Sequence, residues 1–250
     1  TVAASRGHKV KLIEASSKLG GQINLAERLP GRSEFGGITT NLANKLQRQN
    51  VEIKLNTKVS ADFVMQEAPE VVILATGGKS YEPLIDGREN AHVVTAWQIL
   101  EGKANVGSRV AIADWRCDWV GLGLAELLAR QGCHVRLACN GMVPGQTVNQ
   151  YVRDNWLGKL HKLNVQTFTH LRLHGIDSED AYFQHTLSGE PVILNDVDTL
   201  VTAFGAGSFN NLEKELKNTF DTDLHVIGDA LSPRTVEEAI LDGLKASTII

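Results

Sequence analysis

A run of about 30 residues, positions 108–138, constrains the fold more than any other feature of the chain. Residues 108–113 (Ser-Arg-Val-Ala-Ile-Ala) read as a buried strand, 119–130 as a helix closed by Gly132, and 133–138 (Cys-His-Val-Arg-Leu-Ala) as a second strand. Strand, helix and strand in so short a span join as a right-handed parallel crossover. A parallel pair needs helices on its faces, so the chain has to be α/β.

The same alternation continues on both sides. Strand patterns fall at 9–14, 51–55, 69–74, 198–203 and 224–229, and helical spacing at 38–49, 95–101, 148–162 and 236–245. Residues 181–187 and 191–194, around Ser188-Gly189, predict a β-hairpin, while 17–34 and 83–89 read as loops. The expectation is two interleaved Rossmann-like dinucleotide-binding units. The outer one uses 1–103 and 196–250, and the inner one, 104–195, is inserted into it. Residues 1–7 read as the second half of a helix stopped by Gly7, with no initiator Met. The outer unit is therefore expected to lack its first strand and phosphate loop.

Composition removes several function classes. At 250 residues, with 42% hydrophobic and 22% charged residues, the chain is ordinary for a globular protein. A net charge of −4 gives no basic footprint for nucleic acid or an anionic membrane. No apolar run approaches the roughly 18 residues that span a bilayer. Three cysteines, Cys117, Cys133 and Cys139, make an odd set without C-x-x-C spacing, which argues against a disulfide framework, a zinc site or a local iron–sulfur site and fits a reducing cytoplasm. The histidines at 134, 161, 170 and 174 have no metal-ligand spacing, so no metal site is expected.

Four features point to nucleotide binding. Glu14 ends the strand at 9–14, where a carboxylate accepts ribose hydroxyls of an adenosine and disfavours a 2′-phosphate; a solvated strand-end Glu is the plain alternative. Gly20-Gly21-Gln22 lets backbone approach a ligand or simply turn. Ala75-Thr76-Gly77-Gly78 is a small-residue turn at a strand end. Gly228-Asp229-Ala230, before the helix at 236–245, puts an Asp beside a helix N-terminus suited to a ribityl or phosphate group. Each motif also serves as turn chemistry; their order and spacing carry the argument.

Taken in that order, these residues resemble the glutathione-reductase-type two-dinucleotide fold. More narrowly, Gly7-His-Lys-Val, Leu19-Gly-Gly-Gln-Ile and Leu29-Pro-Gly31 are similar to the C-terminal region of the trimethylamine dehydrogenase and dienoyl-CoA reductase family, over essentially the whole chain. The resemblance implies an upstream TIM barrel carrying FMN and a four-iron–four-sulfur cluster, with FAD or ADP bound in the present region. It implies no catalytic residue here, since the chemistry belongs to the cofactor and the barrel.

The inserted unit departs from the nicotinamide-binding pattern. Where Gly-x-Gly-x-x-Gly belongs, the chain reads Ala113-Asp-Trp-Arg-Cys-Asp-Trp-Val-Gly121, and Gly121 alone survives. Arg116 and Asp118 stand where a backbone should meet a pyrophosphate. The degenerate loop resembles the amine dehydrogenase and N-demethylase branch, which implies oxidation of methylated amines and transfer of electrons to an electron-transfer flavoprotein. The alternatives are an NAD(P)H-dependent ene-reductase and a non-catalytic ADP-binding or docking module. Trp115 and Trp119 suit base stacking or plain packing. Asp177, Glu179 and Asp180 suit a solvated loop.

Overall fold

The computed structural model describes residues 1–219 and 223–250. The chain forms two compact units, one from residues 1–24, 34–79 and 206–250 and the other from 25–33 and 80–205.

In the outer unit, strand Lys11–Ile13 runs parallel to Glu52–Lys54, and helix Gly36–Arg48 lies between them in the chain. Strand Val71–Leu74 runs parallel to Asp223–Val226. The helix Ala61–Glu67, absent from the sequence reading, starts where Ser60 Oγ accepts the Phe63 amide at 3.2 Å and stops at Ala68 in a left-handed conformation. Val64, Leu74 and Leu216 form a small core beneath it. The last helix, Val236–Ile249, begins with a reciprocal cap between Thr235 and Glu238.

The inserted unit is built on a five-stranded parallel sheet, in the order Val93–Thr95, Thr199–Ala203, Arg109–Asp114, His134–Cys139, Gln166–Phe168. Helix Trp119–Arg130 makes the predicted crossover between the third and fourth of these. Thr199–Ala203 is buried along its whole length, as a strand covered on both faces must be. One face packs Val110, Ile112, Val201, Leu122, Leu124 and Leu128 together. The other meets an antiparallel three-stranded layer, Leu171–Ile176, Ala181–His185 and Pro191–Leu194, through Ala111, Leu200, Phe183 and Leu194. The expected hairpin is two of those three strands.

The unit boundaries differ from those expected at 103/104 and 195/196. Val93–Thr95 pairs with Thr199–Ala203, so residues 80–103 and 196–205 join the inserted sheet. The supposed loop at 17–34 also contributes to that unit. Leu29 is 2% exposed, and its side-chain carbons lie 3.2–3.3 Å from where a Cβ on Gly123 would sit. Only a bare helix backbone leaves room for Leu29 there.

Candidate functional site

In the outer unit, parallel pairing puts Ala75–Gly77 and Gly228–Ala230 at the same C-terminal strand end. The Ile227 amide continues the ladder to Leu74 O at 3.0 Å, and Gly228 then turns with φ +58°. Asp229 is held by two donors: Gln22 Nε2 to Oδ2 at 2.7 Å and the Arg234 amide to Oδ1 at 3.1 Å. The Arg234 guanidinium is paired to Asp242, whose Oδ2 also accepts the Gly228 amide at 3.2 Å. Gly78 packs against the same group: a Cβ there would stand 3.0 Å from Gly207 O and 3.6 Å from Gln22 Nε2. Thr76 Oγ1 donates to Phe209 O, and Gly77 O accepts the Phe209 amide at 3.0 Å. Gln22, Gly78 and Asp229 are thus brought together, and Ala75, Thr76 and Gly77 line the neighbouring turn.

Gly20 and Gly21 take φ of +117° and +50° and lead into the short helix Ile23–Ala26. A Cβ on Gly20 would lie 2.7 Å from Thr39 Oγ1, whereas one on Gly21 or Gly77 would meet nothing within 4 Å. The Thr39 hydroxyl is buried and has no hydrogen-bond partner among the described residues. An unpaired buried polar atom is costly and asks for a ligand or a water. Glu14 stands apart from these groups. Its Oε1 accepts the Ser16 amide at 2.7 Å and Ser16 Oγ at 2.8 Å, and no hydrogen bond reaches Oε2 among the described residues. Thr39, Arg234 and Asp242 were not found by sequence reasoning. Thr39 carries no motif, and the Arg234–Asp242 pairing depends on how the last helix packs.

The corresponding place in the inserted unit lies at the C-terminal ends of Arg109–Asp114 and Thr199–Ala203, where the strand order reverses. It is filled by the chain's own carboxylates. Asp118 caps helix Trp119–Arg130 by accepting the Val120 amide at 2.8 Å. Asp114 is 2% exposed; its Oδ1 accepts the Cys117 amide at 2.9 Å and its Oδ2 is buried without a partner among the described residues. Burial, with the nearby charges of Asp118 and Cys117, pushes the Asp114 carboxyl well above the ordinary range. That same carboxylate lies 2.2 Å from where a Cβ on Gly121 would be, so the surviving glycine makes room for Asp114. Arg116 pairs with Asp118 at 3.4 Å and lies across Gly205, and Trp115 stacks on Phe204 with centroids 5.9 Å apart. A cavity of about 30 Å³ remains, lined by Arg116, Asp118 and Thr202–Gly205. That is the space of roughly one water, against several hundred Å³ for a small-molecule site.

Among the described residues no group of three or more His, Cys, Asp or Glu side chains is placed to hold a metal, and no helix is long and apolar enough to cross a membrane.

No family model matches the chain. Known proteins do. A probable N-methylproline demethylase of Rhizobium meliloti is 38% identical over 98% of this chain and 40% of its own length. The N,N-dimethylglycine/sarcosine dehydrogenase of Chromohalobacter salexigens is 29% identical over 98% of this chain and 41% of its own. Among solved structures, a 2-naphthoyl-CoA reductase complex superposes with a TM-score of 0.90 at 29% identity, covering 99% of this chain and 37% of that one. The chain therefore spans about 40% of the length of the curated relatives it matches. It shares its fold with a thioredoxin reductase of Lactococcus lactis, at a TM-score of 0.69 and 14% identity over 99% of this chain and 91% of that one. Over nearly its whole length the chain is similar to part of these oxidoreductases, and it resembles the C-terminal region of a trimethylamine dehydrogenase-like enzyme.

Proposed function

We propose that this region of a flavin-dependent oxidoreductase holds one adenine nucleotide, FAD or ADP, in its outer unit and takes no nicotinamide dinucleotide in its inserted unit. One contrast carries the reading. Beside Gly20 there is a buried hydroxyl without a partner among the described residues and beside Gly21 open space, whereas the helix start at Asp118–Gly121 is sealed by two carboxylates. A diphosphate brought to that helix would meet Asp118 in place of free amides and would have to displace the buried Asp114.

In the outer unit the residues present suit a nucleotide. Glu14 Oε2 accepts from ribose hydroxyls, Gly20 and Gly21 let the backbone approach, and Thr39 Oγ1 gains a partner. Gln22 and Asp229, locked to each other, orient the turn Gly228–Ala230, and Ala75–Gly77 keeps the neighbouring wall free of side chains. When bound, a flavin supplies the redox chemistry, and no side chain of this region need act as acid, base or nucleophile.

The whole protein, on this reading, oxidises a methylated amine on an FMN-bearing barrel upstream, with a four-iron–four-sulfur cluster, and passes electrons to an electron-transfer flavoprotein in the cytoplasm. The demethylase and dehydrogenase relatives favour that substrate class. The naphthoyl-CoA reductase likeness favours the alternative of an NAD(P)H-dependent ene-reductase, and the sealed loop opposes it. Anaerobic mixing of the full-length protein separates the two. Bleaching of its visible spectrum by a methylated amine and not by NADH is expected, and rapid bleaching by NADH would sink the reading.

A further inference from the structure

The loop that seals the inserted unit carries a second feature. Strands Arg109–Asp114 and His134–Cys139 pair in parallel register with Asp114 beside Cys139. Three residues past Asp114 the chain turns back at Cys117, a non-glycine residue with φ +50°. Its backbone is held on both sides: the amide donates to Asp114 Oδ1 at 2.9 Å, and the carbonyl accepts the Thr147 amide at 3.1 Å and Thr147 Oγ1 at 3.0 Å. This fixes Cys117 Sγ over the start of the next loop, where it accepts the Gly141 amide at 3.1 Å. Gly141 has no Cβ to intrude; one there would stand 3.1 Å from the sulfur. Cys139, the last residue of its strand, donates its thiol to Gly141 O at 3.6 Å. Both residues are buried, Cys117 at 5% exposure and Cys139 at 0%.

We propose that Cys117 and Cys139 form a peroxide-oxidisable dithiol, Cys117 being the sulfur attacked first and Cys139 the sulfur that resolves it to a disulfide. A left-handed residue pinned by its amide and carbonyl, with its sulfur on the same peptide unit as a second thiol, is a strained and specific placement. Packing alone would be satisfied by alanine. Both sulfurs lie on the Gly141 peptide unit, Cys117 Sγ at its amide and Cys139 Sγ at its carbonyl, and a disulfide of about 2.05 Å would join them there.

The chemistry balances. The Cys117 thiolate attacks one oxygen of hydrogen peroxide, forming an S–O bond and breaking the O–O bond. The hydroxide that leaves takes up a proton as water, and the sulfur is left as a sulfenic acid. Cys139 sulfur then attacks Cys117 sulfur: the S–S bond forms, the S–O bond breaks, and the departing hydroxide leaves as water with the Cys139 proton. In sum, two thiols and one hydrogen peroxide give one disulfide and two waters, and two electrons pass from sulfur to oxygen.

The order of roles follows from the surroundings. The hydrogen bond from the Cys139 thiol and the amides of Gly141 and Asn140 lower Cys117 to about 7, against the opposing effects of burial and the Asp118 charge. Cys139 is pushed up, first by that same hydrogen bond and then by burial and the charges of Cys117 and Asp114, so it stays a proton donor. Cys133 is the internal control. It precedes the far end of the same strand, lies 3.6 Å from Gly107 O, and is pushed up by burial.

Trypsin cuts after Arg116, Arg130 and Arg136, so the three cysteines fall in separate peptides. The full-length protein is treated with hydrogen peroxide near neutral pH, unfolded in alkylating agent, and digested without reductant. The expected product is peptide 117–130 joined to 137–153, two hydrogens lighter than their sum, with Cys133 alkylated. Cys117 should be consumed at least about tenfold faster than Cys133, in line with its larger thiolate fraction. In Cys139→Ser the reaction should stop at a sulfenic acid on Cys117 that dimedone traps. Cys117 and Cys139 both remaining alkylatable while Cys133 is consumed as fast would overturn the proposal, as would a disulfide that includes Cys133.

Discussion

Replacing Gly121 by Ala tests the claim that a carboxylate occupies the inserted unit's nucleotide position. The new Cβ would lie 2.2 Å from Asp114 Oδ2, 2.5 Å from its Cγ and 3.1 Å from its Cβ. Ordinary carbon contacts fall at about 3.5–4.0 Å, so the overlap exceeds an ångström. Asp114 has nowhere to turn, being 2% exposed and tied through Oδ1 to the Cys117 amide. Overpacking costs about 1–3 kcal/mol. Breaking the tie to Cys117 adds about 1–3 kcal/mol. Alanine returns about 1 kcal/mol through helix propensity. The net expectation is about 1–5 kcal/mol of destabilisation, read as a lower urea midpoint with an unchanged slope. In an Asp114→Ala background the overlap is gone apart from the 3.1 Å contact, and Gly121→Ala should then be neutral or stabilising by up to about 1 kcal/mol. Equal costs in the two backgrounds would refute the reasoning.

Asp114→Asn should remove a pH dependence. A carboxyl whose folded pKa lies above its unfolded value of about 3.9 gives stability that is full below that value and is lost as pH rises towards the folded one. Wild-type stability from urea unfolding should therefore fall as pH rises above about 4, by at most about 1.4 kcal/mol per pH unit, more steeply than that of the Asn variant. Trp156→Phe takes the Nε1 donor from Glu126 Oε2, a 2.7 Å bond to a carboxylate only 1% exposed whose other oxygen holds Arg130. A loss of about 1–3 kcal/mol is expected in the same assay, and no change would mean that Glu126 is satisfied without it. Glu14→Ala should weaken retention of an adenine nucleotide about tenfold on gel filtration, the worth of one charge-assisted hydrogen bond. Unchanged retention would remove the ribose assignment.

Much of this was legible where local chemistry decides the structure. Thr95 and Gln98 form the reciprocal cap, and Gly102 the left-handed stop, of a helix at Ala96–Glu101 that spacing alone predicts. Helix Trp119–Arg130 and its two strands follow from the apolar pattern in the same way. Elements that depend on distant partners escaped. Val93–Thr95 is three residues long and is a strand only because Thr199–Ala203 lies beside it. Leu171–Ile176 is interrupted by Gly175, which a strand pattern reads as a break. The degenerate loop was visible in Asp114 to Gly121. That Asp114 turns inward onto Gly121 was not, because which way a strand-end carboxylate points is settled by packing.

The central claim, one adenine nucleotide site and no nicotinamide site, is tested most directly by denaturing the purified full-length protein and quantifying what it releases. Beyond any flavin bound elsewhere in the protein, one adenine nucleotide per chain is expected, FAD or ADP, and no nicotinamide nucleotide, even after prior incubation with NADH and gel filtration. Release of stoichiometric NAD(H), or of no adenine nucleotide at all, would contradict it.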